Sequence, residues 1–171
     1  MRTFRGRGIG RWAGGPIVQF IPERGPAWTG QFEYGVDSLD LVCASPSPDR
    51  VMVIARGEGY IVRVDNPDEW EWAAVVPMID IQRVPERDIL VCADAQDLIA
   101  YSKNGLIWTI DHLALDDLQI TLVSREAIKG FARDPASGKV PFSVDPVTGR
   151  LEGGSELATV SNSGDPQWVQ S

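Results

Sequence analysis

The stretch that decides the fold reads Ile99-Ala100-Tyr101-Ser102-Lys103-Asn104-Gly105-Leu106-Ile107-Trp108. Two apolar segments, 99–101 and 106–108, flank a polar Asn-Gly pair. Both central residues of a type I′ turn need a positive φ, which Asn and Gly adopt at low cost. The stretch therefore predicts a β-hairpin with a type I′ turn at Asn104-Gly105.

Segments of the same kind lie on both sides of this hairpin. Apolar alternation or short apolar runs predict strands at 39–43, 51–55, 60–64, 89–93, 118–122 and 140–144. A helix-start signature occurs once, at Asn66, Pro67 and Glu69, and predicts two helical turns over Pro67–Ala74. The chain is therefore predicted to be all-β, with sequential antiparallel hairpins and one short helix at most.

An internal repeat joins these strands into larger units. Residues 51–72 fall on 89–110 after a shift of 38 positions, and a weaker third copy starts near Ile128. The aligned pairs include Val53/Val91, Ile61/Ile99 and Trp70/Trp108. Such a period is typical of propeller blades, although any meander of hairpins repeats in this way. We expect blade-like sheets that form either a partial propeller or a β-sandwich.

The two ends of the chain differ from its body. Residues 1–15 are rich in Arg and Gly and predict a flexible arm, because so few apolar side chains cannot offset the entropy of ordering. Residues 16–154 are predicted to form a single β domain that contains the repeats. Residues 155–171 are predicted to be a polar C-terminal tail.

Charge narrows the choice of partner. The chain has 24 acidic and 16 basic residues, for a net charge of −8, and four of the arginines lie in the first eleven residues. An acidic body repels nucleic acid phosphates and anionic membranes. The acidic surface either binds a protein partner with a basic surface or is simply solvated and has no binding role. No apolar run is long enough to span a membrane or to act as a secretory signal, so we expect a cytoplasmic protein.

Few residues favour catalysis or metal binding. His112 is the one histidine, and Cys43 and Cys92 lie apart in apolar segments that predict buried thiols rather than a bridge. These residues do not form a zinc motif, so we expect no metal and no cofactor. Carboxylates are abundant, at Asp94, Asp97, Asp116, Asp117, Asp134 and Asp145. A pair across a cleft would suit glycosidase-like hydrolysis, but acids in turns usually bind their own backbone. No catalytic residue is predicted.

A candidate binding surface lies at the end of the first repeat. Trp70 and Trp72 alternate with acidic residues, namely Asp68, Glu69 and Glu71. An exposed tryptophan among carboxylates suits contact with a protein partner. The alternative is that at least one of the two rings packs in the core.

Three patterns occur in the second half of the chain: Ala-Tyr-x-x-x-Gly-Leu-x-Trp at 100–108, Pro-Phe-x-Val-Asp-x-x-Thr-Gly at 141–149, and Gly153-Gly154. Through these patterns, residues 88–154 resemble an uncharacterised family of small bacterial β-rich proteins with propeller-blade-like hairpin repeats. The resemblance implies a hairpin-rich fold and carries no activity, substrate or catalytic residue.

Two functions follow as hypotheses. The first is a non-enzymatic protein-binding or scaffold module, one form of which is an immunity-type protein that neutralises a basic partner. The alternative is a carboxylate-dependent hydrolase. Uncovered sheet edges further predict a homodimer, unless residues 16–36 and 155–171 cap those edges within one chain.

Overall fold

The computed structural model describes residues 1–7 and 14–163. Within these residues it contains sixteen β-strands and no helix, which confirms the all-β prediction. Accordingly, no helix in the described ranges is long and apolar enough to cross a membrane. The chain divides into two compact units, Met1–Ile79 (unit 1) and Asp80–Ser171 (unit 2). The division falls between the first two copies of the repeat.

In the part of unit 1 that the structure describes, seven strands form two sheets. The first sheet has the order β1-β3-β2 and the second the order β4-β5-β6-β7. The strands are β1 (Arg2–Phe4), β2 (Ile17–Phe20), β3 (Trp28–Phe32), β4 (Leu41–Ala44), β5 (Arg50–Ala55), β6 (Glu58–Arg63) and β7 (Trp70–Trp72). Aromatic rings dominate the core between these sheets, and Phe4, Phe32 and Tyr60 are fully buried.

Up to residue 163, unit 2 contains nine strands in two sheets, a five-stranded sheet β16-β11-β10-β9-β8 and a four-stranded sheet β12-β13-β14-β15. The strands are β8 (Asp80–Arg83), β9 (Leu90–Ala93), β10 (Leu98–Ser102), β11 (Gly105–Asp111), β12 (Gln119–Val123), β13 (Ile128–Asp134), β14 (Gly138–Val144), β15 (Leu151–Gly153) and β16 (Thr159–Asn162). Trp108 is fully buried in this core, and its Nε1 donates to the carbonyl oxygen of Pro146 at 3.0 Å.

The repeat corresponds to whole sheets. The first copy supplies β5, β6 and β7, and the second supplies β9, β10 and β11. In both copies the strands pair antiparallel in sequential order, with one preceding strand added at the edge. The strands from Gln119 to Gly153 make a third four-stranded meander of the same kind. Each of the first two copies thus supplies three strands of one blade-like sheet.

The predicted hairpin at 99–108 is confirmed, but its turn type is wrong. Ser102 pairs with Gly105, and Gly105 has a φ of 96°, whereas Asn104 is not among the described non-glycine residues with positive φ. A register shift at Ala100/Tyr101 accompanies this turn. The two-residue turn with both φ values positive lies instead at Arg56 (47°) and Gly57 (80°), between paired Ala55 and Glu58.

The predicted helix at Pro67–Ala74 is wrong. The Asn66 carbonyl oxygen accepts from Glu69 N at 3.0 Å, and the Asn66 side chain binds Asp68 N and Glu69 Oε1. These bonds close a single tight turn. The chain then enters β7 because Trp70–Trp72 pair with β6, and that pairing outweighs the local helix signal.

The predicted flexible arm and the predicted polar tail both include residues that form β-strands in the structure. Arg2–Phe4 form β1, and Thr159–Asn162 form β16, which pairs antiparallel with β11. The arm prediction overlooked Phe4, which is fully buried and anchors β1. Residues 8–13 of the arm and 164–171 of the tail lie outside the described residues.

Candidate functional site

The two predicted tryptophans form one surface on β7. Residues two apart on a strand share a face, and the rings of Trp70 and Trp72 meet edge to face with centroids 5.4 Å apart. Trp70 is half-buried in the unit 1 core, whereas Trp72 is 43% exposed. Trp70 therefore packs against the core, as one interpretation of the sequence has it, and Trp72 is exposed, as the other has it.

Phe4 fills an aromatic pocket beside this surface. Its ring stacks on Phe32 with centroids 4.5 Å apart and planes 7° apart, and it meets Trp70 edge-on at 5.4 Å. Gly30 keeps the pocket open, because a Cβ there would lie 2.9 Å from ring carbons of both Phe4 and Phe32. A fully buried phenylalanine of this kind contributes about 3 kcal/mol or more to stability.

The backbone around Phe4 is held by strand pairing. β1 runs parallel to β3, with Arg2 opposite Gly30 and Phe4 opposite Phe32. Glu33 N donates to the Phe4 carbonyl oxygen at 3.0 Å, and Gly6 N donates to Glu33 Oε2 at 3.0 Å. The bonds extend the attachment beyond the strand to residue 6.

Three arginines of the same segment meet polar groups of unit 1. Arg2 forms an ion pair with Asp68. The Arg5 carbonyl oxygen accepts a hydrogen bond of 3.0 Å from Trp72 Nε1. Arg7 Nε donates to Glu58 Oε1 at 2.8 Å, and Arg7 N donates to Glu58 Oε2 at 3.3 Å.

We call residues 2–7 the N-terminal segment and the surface that holds them the N-terminal groove. The groove consists of Gly30, Phe32, Glu33, Glu58, Asp68, Trp70 and Trp72. Three of the five predicted binding residues, Asp68, Trp70 and Trp72, belong to it. They bind a basic segment, and that segment is the chain's own.

The other two predicted binding residues face elsewhere. Glu69 pairs with Arg63 at 2.9 Å and Glu71 pairs with Arg50 at 3.1 Å. Bonding to Arg63 lowers the pKa of the exposed Glu69 carboxyl. Both carboxylates are therefore neutralised by arginines outside the N-terminal segment.

Tyr60 forms the floor next to the charged part of the groove. Its hydroxyl donates to the Glu33 carbonyl oxygen at 2.7 Å. Burial, followed by the negative charges of Glu58 and Glu33, raises the pKa of Tyr60 far above its ordinary value. The phenol therefore remains a neutral donor and fixes the β3 end on which the segment is bound.

The carboxylates considered for hydrolysis mostly bind their own turns. Asp94 Oδ1 accepts from Gln96 N at 2.8 Å and Asp97 N at 2.7 Å. Asp145 accepts from the backbone of Val147 and Thr148, and these bonds lower its pKa. Such bonds are what turn aspartates usually make, and they provide no support for a catalytic pair.

Asp134 is the most heavily bonded of these acids. Its two oxygens accept from the backbone N–H groups of Ala136, Ser137 and Glu156 and from the Ser155 hydroxyl, at 2.7–3.3 Å. The Glu156 and Ser137 bonds lower the pKa of Asp134. The carboxylate thus ties the β13–β14 turn to the segment before β16.

His112 lies at an exposed loop start with a positive φ of 57°. Its backbone N donates to Asp97 Oδ1 at 2.8 Å, while its ring Nδ1 is 3.8 Å from the same oxygen. Burial and the charge of Asp97 raise the pKa of neighbouring Asp111.

Within 1–7 and 14–163, no group of three or more His, Cys, Asp or Glu side chains is arranged to hold a metal.

Sequence reasoning missed the Phe4 anchor of the N-terminal segment and two acidic residues of the groove, Glu33 and Glu58. Phe4 was counted with the arm, and Glu33 and Glu58 lie in segments that predict only strands and turns. A signal was present in the arm itself, where one aromatic residue stands between Arg2 and Arg5 in Arg-x-Phe-Arg-Gly-Arg. That spacing puts arginines on either side of a single apolar anchor.

Comparison with known proteins identifies no family for the chain. No family model matches the chain, and no curated protein matches it. Among solved structures, the chain is similar to the N-terminal domain of Nup159, with 17% sequence identity and a TM-score of 0.41. That similarity covers 72% of this chain but 31% of the other, so the chain spans less than a third of that structure.

Proposed function

We propose that the chain is a non-enzymatic protein-binding module whose N-terminal groove takes an extended segment with an aromatic residue between arginines. The observation that supports this function is the occupied groove: Asp68, Trp70 and Trp72 all contact residues 2–7. An immunity-type role, in which the basic segment belongs to a partner, is a narrower form of the same proposal.

The groove combines three kinds of recognition. Strand pairing with β3 gives affinity that does not depend on side chains, as in other modes of β-strand addition. The aromatic pocket selects a ring at the position of Phe4. Glu58 and Asp68 select cations at the positions of Arg7 and Arg2. A ligand must satisfy all three, which makes the site specific for basic, extended segments.

Occupation of the groove by the chain's own segment sets the conditions for binding. A tethered segment competes at an effective concentration in about the millimolar range. A partner therefore binds only when its segment is tighter or when residues 2–7 leave the groove. The tether thus keeps the groove closed to weak competitors.

The test uses a fluorescent peptide with the sequence of Met1–Arg7 and chains in which the tethered segment is weakened. Phe4→Ala removes the aromatic anchor, and Arg2→Ala/Arg7→Ala loosens the segment while keeping that anchor. We expect either chain to bind the peptide at least about tenfold more tightly than the unaltered chain, because cis competition is reduced. A peptide with alanine in place of Phe4 should not bind.

Matched substitutions in the groove locate the binding. In the Arg2→Ala/Arg7→Ala chain, Glu58→Gln removes the acid that faces Arg7, whereas Glu71→Gln removes an acid that faces Arg50. Peptide affinity should fall with the first and stay unchanged with the second. If circular dichroism shows both opened chains folded and neither binds the peptide, the proposal is wrong.

A further inference from the structure

We propose that residues 2–7 are exchanged between two copies of this chain, so that each copy's N-terminal segment fills the groove of the other. The product is a symmetric dimer of about twice 18.7 kDa. This inference rests on the proposed function, because it names a second copy as the source of the basic, aromatic segment.

The topology makes β1 a separable strand. β2 and β3 form an antiparallel hairpin, whereas β1 pairs with β3 in parallel at the edge of the sheet. A parallel neighbour cannot be delivered by a tight hairpin and must enter on a longer connection. The position of β1 therefore depends on its own contacts with the groove rather than on the adjoining strand β2.

Those contacts are the same whichever copy supplies the segment. Apart from the Arg2 guanidinium over the Phe4 ring, the described contacts of residues 2–7 all go to residues between Trp28 and Trp72. Exchange thus breaks and remakes one set of pairings. Its free energy is set by protein concentration and by the connecting chain, not by a difference in contacts.

The connection between the segment and β2 contains a glycine that suits a hinge. Nine residues, 8–16, separate Arg7 from Ile17, and fully extended they span at most about 30 Å. Gly14 has a φ of 110°, and a Cβ at that position would meet nothing within 4 Å. Glycine adopts a wider range of φ and ψ than other residues, as a hinge for exchange requires.

A pair of cysteines placed across β1 and β3 distinguishes exchange from tethering. Thr3 and Gln31 are register partners on the two strands, a spacing suited to a disulfide. Thr3→Cys is introduced into one chain and Gln31→Cys into another, with different affinity tags, and the two are co-expressed. Exchange predicts a disulfide between the two chains, and peptide mapping separates it from any bridge to Cys43 or Cys92.

The control carries both substitutions in one chain. If that chain forms an internal 3–31 bridge while the co-expressed single variants remain unlinked, the segment stays with its own chain and the exchange proposal is overturned. A 3–31 bridge in neither experiment overturns the β1–β3 pairing on which both proposals stand. Peptide binding to opened chains without any interchain bridge leaves the proposed function intact and removes exchange alone. Light scattering on the unaltered chain should show the doubled mass as its concentration approaches about 1 mM, the range of the tether's own effective concentration. A mass that stays at 18.7 kDa over this range would overturn exchange.

Discussion

Arg7 and Glu58 form a largely buried ion pair in the N-terminal groove. The Glu58 side chain is 5% exposed, and Arg7 contributes both a side-chain and a backbone donor to it. Among the described residues, Arg7 Nη2 is also buried and has no hydrogen-bond partner. Removal of either side chain would therefore leave the other charge buried without its partner, which is costly. Even in the intact pair, one donor of Arg7 makes no hydrogen bond.

We predict that Arg7→Ala lowers the free energy of unfolding by about 3 kcal/mol, because it leaves a buried carboxylate unpaired. Arg7→Lys should cost less, since an ammonium retains the charge and removes the unsatisfied Nη2. Urea denaturation measures both. The double variant Arg7→Ala/Glu58→Gln should be clearly more stable than the sum of the two single effects indicates. Strict additivity would show that the pair does not act as a unit.

Asp134 and Asp111 should have opposite effects on the pH dependence of stability. Hydrogen bonds lower the folded-state pKa of Asp134, so its stabilisation is present above its unfolded pKa and is lost as pH falls through the folded value. Burial raises the pKa of Asp111, so it destabilises the fold at neutral pH and this effect is relieved on acidification.

Asp134→Asn should therefore flatten the loss of stability between about pH 5 and pH 3, and Asp111→Asn should steepen it. At pH 7 the first variant should be less stable than the unaltered chain and the second at least as stable. Thermal unfolding followed over that pH range distinguishes them. Parallel profiles for the two variants would contradict the assigned directions.

At the scale of elements, two hairpin turns show that local residue preference alone does not decide the turn type. Asn104-Gly105 has the composition of a type I′ turn, yet Arg56-Gly57 adopts the two positive φ values. The strands of the β5–β6 hairpin pair without a shift up to Ala55 and Glu58, which leaves two residues for the turn. In the β10–β11 hairpin, Ser102 pairs with Gly105, so the two turn residues are Lys103 and Asn104, and the positive φ falls on Gly105 after them.

The two turn glycines differ in their surroundings, which gives a matched prediction. A Cβ on Gly105 would meet nothing within 4 Å, whereas on Gly57 it would lie 2.8 Å from the Asp37 Cβ and 3.0 Å from the Pro77 Cβ. Gly105→Ala should cost about 1–2 kcal/mol from backbone strain alone. Gly57→Ala should cost roughly 1–3 kcal/mol more from crowding. Equal losses in chemical denaturation would show that the Gly57 site relaxes.

Strands and repeats were predictable because their signals are local. Apolar alternation and the 38-residue shift place most strands of the repeated sheets within a few residues of their observed positions. The N-terminal groove was only partly predictable, because its contacts join distant residues, such as Trp72 with Arg5 and Arg7 with Glu58. The acidic and aromatic side of the groove is contiguous in sequence at Asp68–Trp72. No local pattern in the sequence indicates that Asp68–Trp72 contact residues 2–7, which lie more than sixty residues earlier in the chain.

At the scale of the whole chain, acidic charge is unevenly divided. Unit 1 has ten acidic and eight basic residues, and unit 2 has fourteen acidic and eight basic residues. Three of the basic residues of unit 1 are Arg2, Arg5 and Arg7, which belong to the N-terminal segment. When these residues leave the groove, their positive charges no longer offset its carboxylates, and the opened groove attracts a basic segment more strongly.

Salt therefore separates two kinds of association. A free Met1–Arg7 peptide is attracted to an acidic chain, so its affinity for the opened groove should fall roughly tenfold between about 20 mM and 500 mM NaCl as screening increases. Exchange between two copies conserves the ion pairs with Asp68 and Glu58 and brings together two chains with a net charge of −8 each. Screening reduces that repulsion, so the fraction of dimer measured by light scattering should stay constant or rise over the same range. A dimer that dissociates as salt increases would instead be held by new ion pairs between the copies, which strand exchange does not provide.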